Sequence, residues 1–130
     1  MLQVLLIAVG GSLGCVSRYG LSTLVYEATP GVFPYGTMFV NLTGSLFIGV
    51  LSELFETAII PSAWRSFLTI GFIGGYTTFS TYTLETLNLL REGEIRLATY
   101  NVLLSTVLGL AFVALGIYAS RAALRLFIER

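Results

Sequence analysis

Charge is absent over long stretches of this chain, and that spacing constrains its fold more than any single motif. Residues 1–17 carry no charged side chain, and neither do residues 28–52, 66–84 and 97–120. A helix rises about 1.5 Å per residue, so about 20 mostly apolar residues cross the hydrocarbon core of a bilayer. Four windows of that size consume nearly the whole 130-residue chain. The spacing predicts an all-α membrane protein with four transmembrane helices, over roughly residues 2–26, 36–54, 63–90 and 95–124. Residues 1–130 then make a single four-helix transmembrane domain, with no linker or soluble domain left over.

The connectors carry turn residues: Thr29-Pro30-Gly31 and Pro34-Tyr35-Gly36, then Ile60-Pro61-Ser62, then Arg91-Glu92-Gly93-Glu94. Connections this short set successive helices antiparallel. A cleaved signal peptide would need a positive n-region, which residues 2–17 do not supply. A β-barrel would need alternation, and the apolar runs here are continuous.

Composition narrows the function classes. Charged residues make up 11% of the chain, against about 25% in soluble domains. The net charge is zero, so no basic field awaits a nucleic acid. There is no His, Asp or Lys, and Cys15 stands alone. That removes an intrachain disulfide, a His/Cys metal cluster and the usual catalytic triads. No phosphate-binding loop, nucleophile elbow or zinc-protease motif is present. The chain is not expected to be an enzyme.

Four spans place both termini and the second connector on one side, with Arg65, Arg121, Arg125 and Arg130; the other side holds Arg91, Arg96 and, deeper, Arg18. Four arginines against three give almost no positive-inside bias. Two readings stand: a small protein with a weak signal, or a chain that inserts both ways and pairs head to tail. Gly10/Gly14, Gly71/Gly75, Ser45/Gly49 and Ser105/Gly109 are small residues four apart, which let helix backbones approach closely in lipid.

Polar groups in hydrocarbon are costly, so each one raises a question. Arg18 is either a snorkelling anchor or a fixed positive charge at the mouth of an anion path. Asn41 is either an interhelical hydrogen bond or an uncharged donor facing an anion. Residues 71–83 hold seven Gly or Thr among thirteen, all poor helix formers, so a break is expected near Gly74–Thr78. Non-helical backbone survives at membrane depth only when buried in protein or lining a cavity, and broken helices bind ions in transporters. Phe79 and Tyr82 share one face beyond the break, where ring edges can meet an anion. Glu85 reads as a proton site or as an acceptor for a neighbouring helix. Ser105, with Asn101 one turn before it, extends the polar track.

Three runs carry a resemblance: Gly10-Gly11-Ser12-Leu13-Gly14-Cys15-Val16-Ser17-Arg18-Tyr19, Gly36-Thr37 through Val40-Asn41, and Gly74-Gly75-Tyr76-Thr77-Thr78-Phe79-Ser80-Thr81. In this order they resemble the Fluc (CrcB) fluoride channels of microbes. The Thr-Thr-Phe-Ser-Thr run after a double glycine is the specific part. The resemblance implies an antiparallel, dual-topology homodimer in the cell membrane (the inner membrane in a Gram-negative cell). It would have two pores and passively export fluoride from the cytoplasm. It implies a fluoride pathway of Asn41, Phe79, Ser80, Thr81, Tyr82 and Ser105, with Arg18 as the family arginine of the first helix. It also implies a structural sodium ion at the dimer centre, on the backbone carbonyls of Gly74 and Thr77 and their twins. Tyr82 departs from the family's second phenylalanine by adding a hydroxyl. The rival is a small proton-coupled multidrug exporter, also short and four-spanning. It needs a membrane-embedded acid in the first helix, and residues 1–17 hold none.

Overall fold

The computed structural model describes residues 1–57, 59–61 and 64–128. The predicted start of the third helix at residue 63, Ser62 of its connector and Arg130 lie outside them. Among the described residues all regular structure is helical. The elements are α1 (Leu2–Ala28), α2 (Tyr35–Glu56), a π-wound helix (Ser66–Ile73) that runs directly into α3 (Gly74–Tyr76), α4 (Phe79–Arg91) and α5 (Ile95–Ile128). Three stretches are each long and apolar enough to cross a membrane: Leu2–Ala28, Tyr35–Glu56 and Ile95–Leu126. The remaining helical stretch, third in chain order, is the interrupted one.

The interruption falls at Thr77 and Thr78, both in extended backbone (φ −88°, ψ 159° and φ −149°, ψ 118°). The break thus falls in the threonine half of the expected Gly74–Thr78 region. Gly74 and Gly75 stay helical, and Gly75 works instead by letting α1 come close: a Cβ there would sit 2.6 Å from the Gly11 carbonyl oxygen. The α1 glycines answer from the other side. A Cβ on Gly10 would lie 2.5 Å from the Phe67 carbonyl oxygen, and one on Gly14 would clash with the Phe72 carbonyl. The Gly10/Gly14 and Gly71/Gly75 pairs therefore form one seam, as backbone contact in lipid requires.

The second seam joins α2 to α5. A Cβ on Gly49 would strike the Val113 carbonyl, and one on Gly116 the Leu46 carbonyl. Here the Ser105/Gly109 pair is looser than expected, since a Cβ on Gly109 would rest at an ordinary 3.7 Å from Ser45 Oγ. Near the far end of this seam Glu53 is buried and accepts from Arg121 Nε at 2.8 Å. Burial of a carboxylate is tolerable only with such a partner. The turn between α4 and α5 is made at Gly93, whose φ of +80° suits glycine.

The single chain buries little. Val40, Asn101, Leu89 and Ala98 form its most enclosed points, while most large apolar side chains of α1 and α5 face outward. An apolar exterior is what a bilayer solvates.

Candidate functional site

The broken backbone sets the site. In a continuous helix the Thr78 N–H would bond the Gly74 carbonyl. Instead it donates to Asn41 Oδ1 at 2.8 Å, and Asn41 Nδ2 donates back to the Thr78 carbonyl at 3.0 Å. One amide thus satisfies both polar groups of one peptide-linked residue, which the hydrocarbon would otherwise leave unpaired. A backbone N–H can only donate, so the amide's orientation is fixed by its partner. One of the two Nδ2 hydrogens remains for another acceptor.

Thr78 also starts α4. Its Oγ1 accepts from the Thr81 N–H at 3.3 Å, an N-cap bond, and donates to Thr81 Oγ1 at 3.0 Å. Ser80 Oγ lies 3.4 Å from the same oxygen. The α4 N-terminus, with its partial positive charge, therefore opens at the break. Gly44 of α2 lets the Thr77 methyl lie against the helix, since a Cβ there would clash with Thr77 Cγ2. Tyr76 is buried with its hydroxyl 2.8 Å from Thr43 Oγ1.

Two clefts meet at this point. The larger, about 510 Å³, is lined by Asn41, Gly74, Thr77, Phe79, Tyr82 and Ser105 among others. The smaller, about 240 Å³, is lined by Arg18 and Thr81, with Tyr26, Thr37 and Glu85. Thr78 lines both. The structure thus divides the sequence-predicted residues between two sides of one break, with Ser80 exposed and outside these two clefts. The Phe79 and Tyr82 rings are 5.7 Å apart at 46°. Phe79 is 77% exposed in the single chain. Ser105 donates to Asn101 Oδ1 at 3.5 Å, and Asn101, 1% exposed, donates to Thr86 Oγ1 at 2.9 Å.

Arg18 reaches the break. Its Nη1 donates to the Thr77 carbonyl at 3.3 Å, and its Nη2 lies 3.8 Å from Cys15 Sγ. Sequence reasoning missed the partners of Glu85. Tyr26 and Thr37 both donate to Glu85 Oε1, at 2.7 Å and 2.8 Å. A signal for them existed: a short connector sets the end of the first helix beside the start of the second.

A family model described as CrcB-like protein, Camphor Resistance (CrcB), matches residues 5–117. The chain belongs to the CrcB-like family. Among its relatives, a protein of Geotalea uraniireducens (strain Rf4) named fluoride-specific ion channel FluC is 49% identical over 123 residues, covering 94% of this chain and 99% of the relative. A Coxiella burnetii (strain CbuK_Q154) protein of the same name is 45% identical over 122 residues, 92% of this chain and 98% of the relative. A Salinibacter ruber (strain DSM 13855 / M31) protein, again of that name, is 49% identical over 116 residues, 89% and 87%. Together with the apolar crossings, membership makes this CrcB-like chain a multi-pass membrane protein.

Proposed function

We propose that the chain is a fluoride-selective channel that lets fluoride leave the cytoplasm passively, and that the break at Thr77–Thr78 is the heart of its route. The single observation that carries this reading is the clefted break clamped by Asn41, in a chain whose relatives bear the name of fluoride-specific channels. Fluoride sheds water on entry and needs replacement donors. The spare Asn41 hydrogen, the Thr81 and Tyr82 hydroxyls and the Phe79 ring edge supply them, joined by the Ser105 hydroxyl when it leaves Asn101 and by the exposed Ser80 hydroxyl, without a fixed charge in direct contact. Conduction needs binding favourable enough to enter and weak enough to leave. Arg18 sits one cleft away and draws anions without trapping them. No catalytic step is part of this reading.

The working unit is an antiparallel, dual-topology homodimer with two pores, lying in the cell membrane. The exposed Phe79 and outward apolar faces of α1 and α5 support a second copy, as does the near balance of arginines. Among the described residues no three His, Cys, Asp or Glu side chains converge on a metal, so a structural ion would rest on carbonyls. The break fits a sodium ion in part. Gly74 loses its i+4 donor to Asn41, Thr77 loses its own to the Thr78 hydroxyl, and both residues face the large cleft. Arg18 shares the Thr77 oxygen, leaving that oxygen its second lone pair. The Gly74 and Thr77 carbonyls, with those of a second copy, would hold the ion, which would offset their converging dipoles.

The test is fluoride efflux from liposomes carrying the purified protein, read with a fluoride electrode. Rapid efflux is expected, and none would overturn the reading. Cross-linking of single-cysteine variants tests the dimer: head-to-tail pairs are expected, and parallel pairs alone would refute it.

A further inference from the structure

The last helical residue before the break is a tyrosine that the proposed route leaves unused. Tyr76 closes α3, is 4% exposed, and lines neither of the two clefts that meet at the break. Its ring lies parallel to that of Phe72 one turn earlier, with centroids 6.1 Å apart. Two glycines make room for the residue. A Cβ on Gly44 of α2 would stand 3.4 Å from Tyr76 Cδ1, and one on Gly14 of α1 would stand 2.9 Å from the Tyr76 backbone nitrogen. Packing of this kind asks only for a ring, which phenylalanine also has. The hydroxyl is what needs a reason, since a buried phenol oxygen without a partner is costly.

Its partner is Thr43, and the hydrogens give the bond a direction. Thr43 Oγ1 lies 2.8 Å from the Tyr76 oxygen. A hydroxyl carries one hydrogen. Thr43 directs its own to the carbonyls of Phe39 and Val40, at 2.8 Å and 3.3 Å, within its own helix. Tyr76 is therefore the donor and Thr43 the acceptor. Two residues beyond Tyr76, Thr78 has both backbone groups held by Asn41. Thr43 and Asn41 both belong to α2. One helix thus grips the residue before Thr77 and the residue after it. Thr77 is the link between the two grips, and its carbonyl accepts from Arg18 Nη1 at 3.3 Å.

We propose that Tyr76 is a positioning residue: its hydroxyl, fastened to Thr43, fixes the turn of Thr77 so that the Thr77 carbonyl holds the Arg18 guanidinium back from direct contact with fluoride. This rests on the channel reading above. A guanidinium carries five N–H donors, so the carbonyl restrains its position rather than using up its donors. Arg18 lines the smaller cleft, and released from Thr77 it can turn toward an anion there. A charge-assisted bond to fluoride would then hold the ion, whereas conduction needs it to leave. With the phenol fastened, Arg18 draws fluoride from a distance. With it loose, Arg18 captures the ion.

The test is the initial rate of fluoride efflux from liposomes over a range of internal fluoride, for the unsubstituted chain, Y76F, T43V, T43S and the combination of Y76F with T43V. Y76F keeps the ring and removes the donor. Its maximal rate and its half-saturating fluoride concentration are both expected to fall by about fivefold, the scale of one hydrogen bond between neutral groups. T43V keeps the shape, removes the acceptor and is expected to change both quantities in the same direction. T43S keeps the oxygen and is expected to conduct faster than T43V. The double variant is expected to match the slower single one, because both changes act on one contact. A role confined to stability would lower the melting temperature and leave the half-saturating concentration where it was, and that result overturns the proposal. So does a half-saturating concentration that rises in Y76F, a T43S as slow as T43V, or multiplying effects in the double variant. Should Y76F fail to fold, T43V decides by the same readout. An unsubstituted chain that moves no fluoride overturns the channel reading and this proposal together, whereas a conducting chain with an unchanged Y76F overturns this proposal alone.

Discussion

Asn41 holds the peptide groups of Thr78 from both sides, donating to its carbonyl and accepting from its N–H. This relationship explains why the third crossing can come apart at membrane depth. The helix gives up its own hydrogen bonds at that point, and a neighbouring helix returns them. The proposed route and the stability of the fold therefore meet in one side chain.

Asn41→Ala should harm both. It leaves two backbone groups without partners, each costing about 1–3 kcal/mol when buried. A lower melting temperature in detergent and loss of fluoride efflux are expected. Asn41→Asp keeps the acceptor for the Thr78 N–H but cannot donate and adds negative charge. It should melt higher than Asn41→Ala and still conduct poorly, which comparing the two variants checks.

Phe79→Ile should separate route from fold. Phe79 is largely exposed in the single chain, so little packing within the protomer depends on it. Efflux is expected to fall sharply, while the melting temperature stays near that of the unsubstituted protein. An unchanged rate would remove the aromatic edge from the mechanism.

Gly14→Ala tests the seam between α1 and the third crossing. The added methyl meets the Phe72 carbonyl, which is backbone and cannot step aside. Overpacking of this kind costs about 1–3 kcal/mol. Gly20→Ala is the control on the same helix, because nothing lies within 4 Å of a Cβ there. Thermal melting should fall for the first and hold for the second.

Arg121→Ala should leave the Glu53 carboxylate buried without its cation. Arg121 is itself about half exposed, so the loss is expected to be about 1 kcal/mol rather than that of a fully buried pair. Glu53→Gln with Arg121→Ala should recover part of it. A double-mutant cycle on melting data measures the coupling.

Much of this architecture was legible in the sequence, for definite reasons. Uncharged windows mark the crossings because lipid rejects charge, and small residues four apart mark the seam at Gly10, Gly14, Gly71 and Gly75. The break was legible as a region and not as a residue. The poor helix propensity of glycine and threonine marked Gly74–Thr78, yet tertiary packing keeps Gly74 and Gly75 helical, and the chain opens at Thr77 and Thr78, where Asn41 can reach it. Propensity is local, whereas the clamp spans 37 residues. The split of the predicted site residues into two clefts was also hidden. Sequence spacing gives the faces of α4 but not how α1 lies against the break, so Arg18 meeting the Thr77 carbonyl had no sequence signal.

The central claim is that uncharged donors around a clamped break pass fluoride and hold back larger halides. A halide series in liposomes containing the purified protein tests it most directly. Fluoride should drain from the vesicles while chloride stays inside; chloride draining as fast as fluoride would contradict the account.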